Sequence, residues 1–461
     1  MELKGKKVLV VGLGKSGLAA ALFLRRRGAH VTVSDIRSAQ ALGKEIPALI
    51  EQGIAVEAGG HGLLTFRRQD LIVVSPGVPL TTPELSQAQK FGIPIIGEVE
   101  LAARFLKGKV IAITGSNGKT TTTSLCGEIL VKAGQPVHVG GNIGQPVIGL
   151  VEDTREDGWS VLEISSFQLE TTETFHPNIA VILNITPDHL DRHGSFENYV
   201  AAKERIFASQ SADDMLILNA DDDVASRAAA RARSQVFWFS RKRAIRQGAF
   251  VHEGVILFRA SEQAAPEPIL KLEEIPLKGA HNVENVLAAV CAARLAGASP
   301  EAIRAAVAGF RAVEHRLEFV AEIDGVSYYN DSKATNVDAA MKAIESFPSG
   351  IHLILGGKDK DSDYRQLRPL LAGRVKAVYT IGSAAEKIIT HLEGSVKLVS
   401  AGTLDTAVSL AAEAAEKGDV VLLAPACSSF DQFDNYEHRG QTFKSIVLAR
   451  RGAVAWQNAS A

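Results

Sequence analysis

The chain has 461 residues, with 50 basic and 52 acidic side chains and a formal net charge of −2, a balance that argues against nucleic acid as the main partner. Hydrophobic residues make up 46%, enough apolar side chain for several cores. Three scattered cysteines provide neither a disulfide framework nor metal-ligand spacing, and no segment has the roughly 18 uninterrupted apolar residues that span a bilayer, so a cytoplasmic protein without membrane insertion is expected.

Short β-branched runs such as "KVLVVG", "VIAITG", "VILNIT", "HLILGG" and "VVLLAPA" alternate with Ala- and Leu-rich helical stretches. Continuous apolar strands with helices between them predict an α/β protein with mostly parallel sheets covered on both faces. At roughly 100–200 residues per domain the chain divides into three. These are a Rossmann-like block over 1–97, a P-loop-type ATPase block over 98–312 and a second Rossmann-like block over 313–461.

The first block opens with "VLVVGLGKSGLAAA", in which Gly12, Gly14 and Gly17 form G-x-G-x-x-G after a strand. Asp35 closes the next strand, where such folds place an acid for a sugar hydroxyl. The pattern specifies a nucleoside diphosphate lying across the loop. Taken alone it would favour NAD or FAD, and hence a dehydrogenase, although nothing in it requires a nicotinamide.

The second block opens with "ITGSNGKTTT". The usual P-loop has four residues between its first glycine and Gly-Lys; here only Ser116 and Asn117 separate Gly115 from Gly118-Lys119. Lysine at a glycine turn, followed by Thr120 and Thr121 at a helix start, suits a triphosphate with Mg²⁺: Lys119 for the β- and γ-phosphates and the Thr120 hydroxyl for the metal. Glu163 ends an apolar strand in "VLEISSFQLE" and is a further Mg²⁺ candidate. His189 follows the next strand in "TPDHLDRH", beside acids and downstream of the phosphate loop. Lys203, in "AAKERI", reads on composition as an ordinary helix-surface lysine. The basic run "RARSQVFWFSRKRAIRQG" reads as the solvated rim of an edge strand. Further on, "ASPEAIRAAVAGF" starts a helix with Ser299 as cap and Pro300 in the first position.

The order of "GSNGKTT", "LEISSFQLE", "TPDHLDRH", "AAKERI", "HNVENV" and "EHRLE" resembles the Mur ligases of peptidoglycan synthesis. The stretches "SSFQLE", "NDSKATN" and "ACSSFDQFDNYEHRGQTFK" resemble the branch of that family that adds D-glutamate, and the resemblance covers essentially the whole chain. It implies a monomeric enzyme whose partners are the small molecules UDP-N-acetylmuramoyl-L-alanine and D-glutamate, joined at the cost of ATP through an acyl phosphate. The two glycine loops then hold different nucleotides, the first UDP and the second ATP.

By the same resemblance, Gly14, Lys15, Ser16, Asp35, Ile36, Arg37 and Gly77 grip uridine diphosphate. Asn142, Ser165, Gln168 and His189 face the muramoyl part. Gly115 to Thr121 hold the ATP phosphates, Asn285 meets the adenine, and Arg316, Asp331 and Lys333 close over ATP. Thr335, Lys360, Ser429 and Phe430 match D-glutamate positions; Lys358 is also a candidate on composition, and the family spacing favours Lys360. Lys203 matches a lysine carbamylated in the family, which with His189 would hold a second Mg²⁺ beside the one on Thr120 and Glu163.

Overall fold

The computed structural model describes residues 1–43, 45–311 and 313–459, with side chains described as far as Arg451. Ala312, the last residue of the expected middle block, lies outside the described residues. The chain forms two compact units. One comprises Met1–Ile185, Ser195–Glu274 and Glu284–Gly309; the other comprises Thr186–Gly194, Ile275–Val283 and Phe310–Ala461. The short segments carrying His189 and His281 thus pack with the last third of the chain.

The first unit holds two sheets. In the five-stranded one the spatial order is Ala55–Ala58, His30–Asp35, Lys7–Val11, Leu71–Val74 and Ile95–Gly97, all parallel. Leu71–Val74 is buried at every residue, as a strand covered by helices on both faces must be. Chain order reverses beside Lys7–Val11, so the loop that leaves it opens at the topological switch point, where doubly wound sheets take ligands. The helix Lys15–Arg26 rises from that loop with Gly14 at its N-cap and no side-chain cap.

The nine-stranded sheet repeats the device around Lys109–Thr114. Trp159–Glu163 pairs with that strand on one side and Ile179–Ile182 on the other, both parallel. The second glycine loop leaves this strand and enters the helix Lys119–Lys132. Apolar residues of both sheets and their helices, including Val10, Leu24, Leu101, Ile148 and Leu162, share one core. The far side of the sheet turns antiparallel, with a hairpin of Gly248–His252 and Val255–Arg259 and the edge strand Glu267–Lys271 beyond it. The hairpin's turn residues Glu253 and Gly254 have φ of 47° and 76°, the type I′ pattern that matches strand twist.

Gln235–Ser240, expected as an edge strand, is interior: it pairs with Met215–Asn219 on one side and Gly248–His252 on the other. Phe237 and Phe239 are buried, while Arg231, Arg233, Lys242 and Arg243 are exposed beyond its ends. The charges flank the strand and do not mark an edge. Ser299 caps as expected, its hydroxyl accepting from the Ala302 N–H at 3.3 Å.

The second unit is built on a six-stranded sheet in the order Glu318–Ile323, Val326–Asn330, Val420–Leu423, Ile351–Gly356, Val375–Ile381 and Lys397–Gly402. The first pair is an antiparallel hairpin on Asp324-Gly325, and the other pairings are parallel. The carboxyl ends of three adjacent strands run into "NDSKATN", "APACSSF" and "GGKDK". Sheet order therefore gathers three motifs that sequence keeps far apart. Among the described residues no helix is long and apolar enough to cross a membrane.

Candidate active site

Gly14, Lys15, Ser16, Asp35, Ile36, Arg37 and Gly77 line one cavity of about 690 Å³ at the carboxyl end of the five-stranded sheet. The three loop glycines do different jobs. A Cβ on Gly17 would lie 1.9 Å from the Gly12 carbonyl oxygen, and one on Gly12 would lie 2.7 Å from Val78 Cγ2 at a φ of +88°. A Cβ on Gly14 meets nothing within 4 Å. Gly12 and Gly17 allow the backbone to close up, whereas Gly14 keeps the approach to the helix N-terminus open for a diphosphate.

Asp35 lines the same cavity with its carboxylate already hydrogen-bonded. Its Oδ2 accepts from the Leu13 N–H at 2.7 Å and Arg37 Nη2 at 2.9 Å; its Oδ1 accepts from the Arg37 N–H at 2.8 Å and Arg37 Nε at 3.0 Å. Burial would raise this carboxyl, but the Arg37 and Leu13 bonds outweigh it and bring it down to about 2. These four bonds fix the carboxylate against the loop that leaves Lys7–Val11.

At the second loop, Gly118 takes φ +85° at the N-cap of Lys119–Lys132, and a Cβ there would lie 2.1 Å from Asn285 Oδ1. Asn285 is buried directly against the loop. Asn184 pins the turn from below: its Oδ1 accepts from the Asn117 N–H at 2.8 Å and its Nδ2 donates to the Asn117 carbonyl at 3.1 Å. The Lys119 ammonium lies over the loop, donating to the Gly115 and Ser116 carbonyls at 2.8 and 3.0 Å. Lys203 is no surface lysine: it is 1% exposed, and its Nζ donates to the same Gly115 carbonyl at 2.8 Å. Its ammonium also sits 4.6 Å from the ring centroid of Tyr199, whose hydroxyl meets Ser116 Oγ at 3.0 Å. Tyr199 and Lys203 are four apart on one helix and so share a face.

Glu163, opposite Ile113 in register, is wholly buried. Its Oε1 accepts from Asn142 Nδ2 at 2.7 Å, and its Oε2 is buried without a hydrogen-bond partner. An orphaned carboxylate oxygen at the strand end that neighbours a phosphate loop fits a hard divalent cation. Ser165 and Gln168, expected to face substrate, close a capping box on Ser166–Leu169, with Gln168 Oε1 accepting from the Ser165 N–H at 2.9 Å.

In the second unit Asp188 ties together three motifs. Its Oδ1 meets Lys360 Nζ at 3.1 Å, its Oδ2 accepts from Asn336 Nδ2 at 3.0 Å, and His189 Nε2 lies 3.6 Å away. Burial would raise Asp188, but Lys360 and then His189 hold it at about 2. His189 itself takes φ 54°, a left-handed conformation uncommon outside glycine. Lys358 is exposed and bridges to Ser428 through its backbone, so Lys360 is the lysine turned into this cluster. Lys333 Nζ sits 3.7 Å from the centroid of Tyr436. Burial pushes the Asp331 carboxyl up to about 6 against the pull of Arg316. Ser429 is buried, but Phe430 is 67% exposed, while Tyr436 in the same motif stacks on the lysine. Behind these loops Arg439, fully buried, donates to Ser332 Oγ and to the Ser332, Cys427 and Ser428 carbonyls.

Family models match three stretches: a Mur ligase MurD-like N-terminal domain over 6–97, a Mur ligase middle domain over 113–293 and a Mur ligase glutamate ligase domain over 315–427. The UDP-N-acetylmuramoylalanine–D-glutamate ligase of Acidobacterium capsulatum is 84% identical over the full length of both chains. The chain belongs to the Mur ligase family. The enzyme of the same name from Koribacter versatilis is 61% identical, covering 97% of this Mur ligase and 98% of its relative. A solved UDP-N-acetylmuramate–alanine ligase from Thermotoga maritima matches the fold with a TM-score of 0.61 at 19% identity, covering 96% of this chain and 100% of that one.

The residues of this ligase that sequence reasoning passed over are Asn184, Asp188, Tyr199, Tyr436 and Arg439. Tyr199 had a signal in its i, i+4 spacing from Lys203; Arg439 had none, because a buried guanidinium bonded to carbonyls looks like any exposed arginine in sequence. The glycine geometry yields a paired expectation. Gly17→Ala should cost about 3 kcal/mol or more and lower the melting temperature by several degrees, since its Cβ overlaps a backbone oxygen. Gly14→Ala should leave the melting temperature nearly unchanged and weaken UDP binding. Equal melting-temperature losses in the two variants would refute that division of labour.

Proposed function

We propose that this protein joins D-glutamate to UDP-N-acetylmuramoyl-L-alanine at the expense of ATP, as a cytoplasmic monomer supplying peptidoglycan precursor. The observation that carries the reading is the 84% identity, over the whole of both chains, to a ligase of that name. A carboxylate does not condense with an amine in water, because its oxygen is a poor leaving group. Transfer of the ATP γ-phosphoryl group to the L-alanyl carboxylate makes an acyl phosphate and ADP. The D-glutamate amine then attacks the acyl carbon, the amide forms, and phosphate leaves.

Each unit offers groups suited to part of this task. In the first, the Gly14 loop and Arg37 receive UDP, and Lys119 with the N-terminus of the helix Lys119–Lys132 receives the ATP phosphates. The Thr120 hydroxyl and Glu163 Oε2 would hold Mg²⁺, which when bound neutralises phosphate charge; a carbamylated Lys203 would add oxygen ligands of the type Mg²⁺ prefers. In the second unit, Lys360 and Lys333 supply positive charge, and Thr335 and Ser429 supply hydroxyls, for a dicarboxylate amino acid. Tyr436 is a better aromatic candidate there than the exposed Phe430.

The test is phosphate release from ATP with the UDP-sugar and a panel of amino acids. D-Glutamate should exceed L-glutamate and D-alanine by about 100-fold or more, since a site built for two carboxylates leaves buried charge unpaired with the wrong partner. Faster turnover with L-alanine or meso-diaminopimelate would assign the chain to a sister branch.

A further inference from the structure

We infer that His61 reads the nucleobase of the UDP-sugar, favouring uracil over cytosine through an N–H donor on its Nε2. The inference rests on the reading of the five-stranded sheet's cavity as the uridine diphosphate site. His61 lines that cavity and is held on two sides. Its Nδ1 lies 2.7 Å from the hydroxyl of Ser34, which is wholly buried at the end of the strand His30–Asp35. Its ring stands edge-on to buried Phe66, with centroids 5.5 Å apart. The loop that carries it is tied to the end of the neighbouring strand by backbone bonds from the Gly59 N–H to the Asp35 and Arg37 carbonyls, at 3.1 and 2.8 Å. An imidazole fixed this firmly beside a cavity is a preorganised polar group of the kind that sets ligand orientation.

The hydrogen-bond lengths favour one tautomer. Either the Ser34 hydroxyl donates to His61 Nδ1 at 2.7 Å, or Nδ1–H donates to Ser34 and Ser34 donates to the Gly60 carbonyl at 3.4 Å. The second arrangement relies on a contact that is long for an O–H donor, and the first keeps the one short bond, so we place the hydroxyl proton on the line to Nδ1. In the neutral ring Nε2 then carries the hydrogen and is a donor.

Sheet order says which part of the ligand it meets. The diphosphate loop leaves Lys7–Val11; His61 follows Ala55–Ala58, two strands further out. Two strand spacings are about 10 Å, the reach of a nucleoside beyond its diphosphate. Asp35, on the strand between, is saturated by Leu13 and Arg37. At its 4-position uracil presents a carbonyl acceptor and cytosine an amino donor, so a fixed N–H donor accepts the first and opposes the second.

The experiment titrates the full-length protein with UDP and with CDP by calorimetry. It also measures kcat and KM for the UDP-sugar in the parent, His61→Phe and His61→Gln. The parent should bind UDP at least about 5-fold tighter than CDP. His61→Phe, which keeps the ring and loses the donor, should bring the two within about twofold, raise KM and leave kcat unchanged, and His61→Gln should restore part of the preference. Ser34→Ala, which frees the tautomer, should narrow the UDP preference as well, and stands in if His61→Phe fails to fold. An unchanged UDP-to-CDP ratio in His61→Phe, or no preference in the parent, overturns the role of His61 while leaving the cavity assignment intact. A parent that binds neither nucleotide overturns the cavity assignment and this inference with it.

Discussion

Lys119→Ala is expected to lower kcat/KM for phosphate release by about 10³-fold or more, some 4 kcal/mol of transition-state stabilisation, while UDP still binds with its parent affinity. The lysine stands at the first position of Lys119–Lys132, with its ammonium folded onto the Gly115 and Ser116 carbonyls. That cation is already held beside the N-terminus of the helix Lys119–Lys132, so its charge adds to the helix dipole on a transferring phosphoryl group. The alanine variant loses the two lysine bonds but keeps the backbone cradle, because Asn184 still holds the N–H and carbonyl of Asn117. Steady-state phosphate release and UDP calorimetry on the same preparation separate the two effects. Turnover near the parent rate would make the lysine a structural cap on the loop.

Lys203→Ala should be nearly inactive, and acetate should restore part of the activity. Lys119 and Lys203 both donate to the Gly115 carbonyl, which puts two ammonium groups within two hydrogen-bond lengths of each other. Like charges so close repel, the more strongly because Lys203 is 1% exposed. The repulsion favours loss of a proton from the Lys203 ammonium. The neutral amine would then add to CO₂ and release a second proton, giving an anionic carbamate that attracts Lys119 and provides oxygen ligands for Mg²⁺. In the alanine variant acetate can enter the space that the buried side chain vacates and stand in for the missing anion. The same additive should do much less for Lys119→Ala, which lacks a cation. Retention of most activity by Lys203→Ala without additive would reduce Lys203 to a packing residue on the Tyr199 ring.

The fold class was legible because parallel strands buried on both faces leave continuous apolar runs, as in "LIVV" and "VVLL". The two glycine loops were legible for a related reason: each leaves a switch-point strand, where the backbone itself does the binding and composition must allow it. Side-chain partnerships across long separations were not. Lys203 has the flanks of a surface residue, and only the fold brings Gly115 and Tyr199 around its amine. Asp35 matched its motif position but met Arg37, two residues on, before any sugar. Phe430 came from the family resemblance alone, and nothing local in the sequence shows that Tyr436 turns toward Lys333. Two signals were readable and went unread: "HEGV" and "IDGV", whose Glu-Gly and Asp-Gly pairs turn the two hairpins, and the S-x-x-Q capping box at Ser165.

The buried Arg439 has a consequence for the order in which the molecule assembles. It bonds Ser332 across 107 residues of chain and the Cys427 carbonyl across 12, so it closes a long loop and a short one together. Loop-closure entropy delays contacts of wide separation until the intervening strands have paired. The strand-end loops that carry Lys333 and Ser429 should therefore gain their hydrogen-exchange protection late in refolding, after the sheet beneath them, with Arg439 as the last stitch.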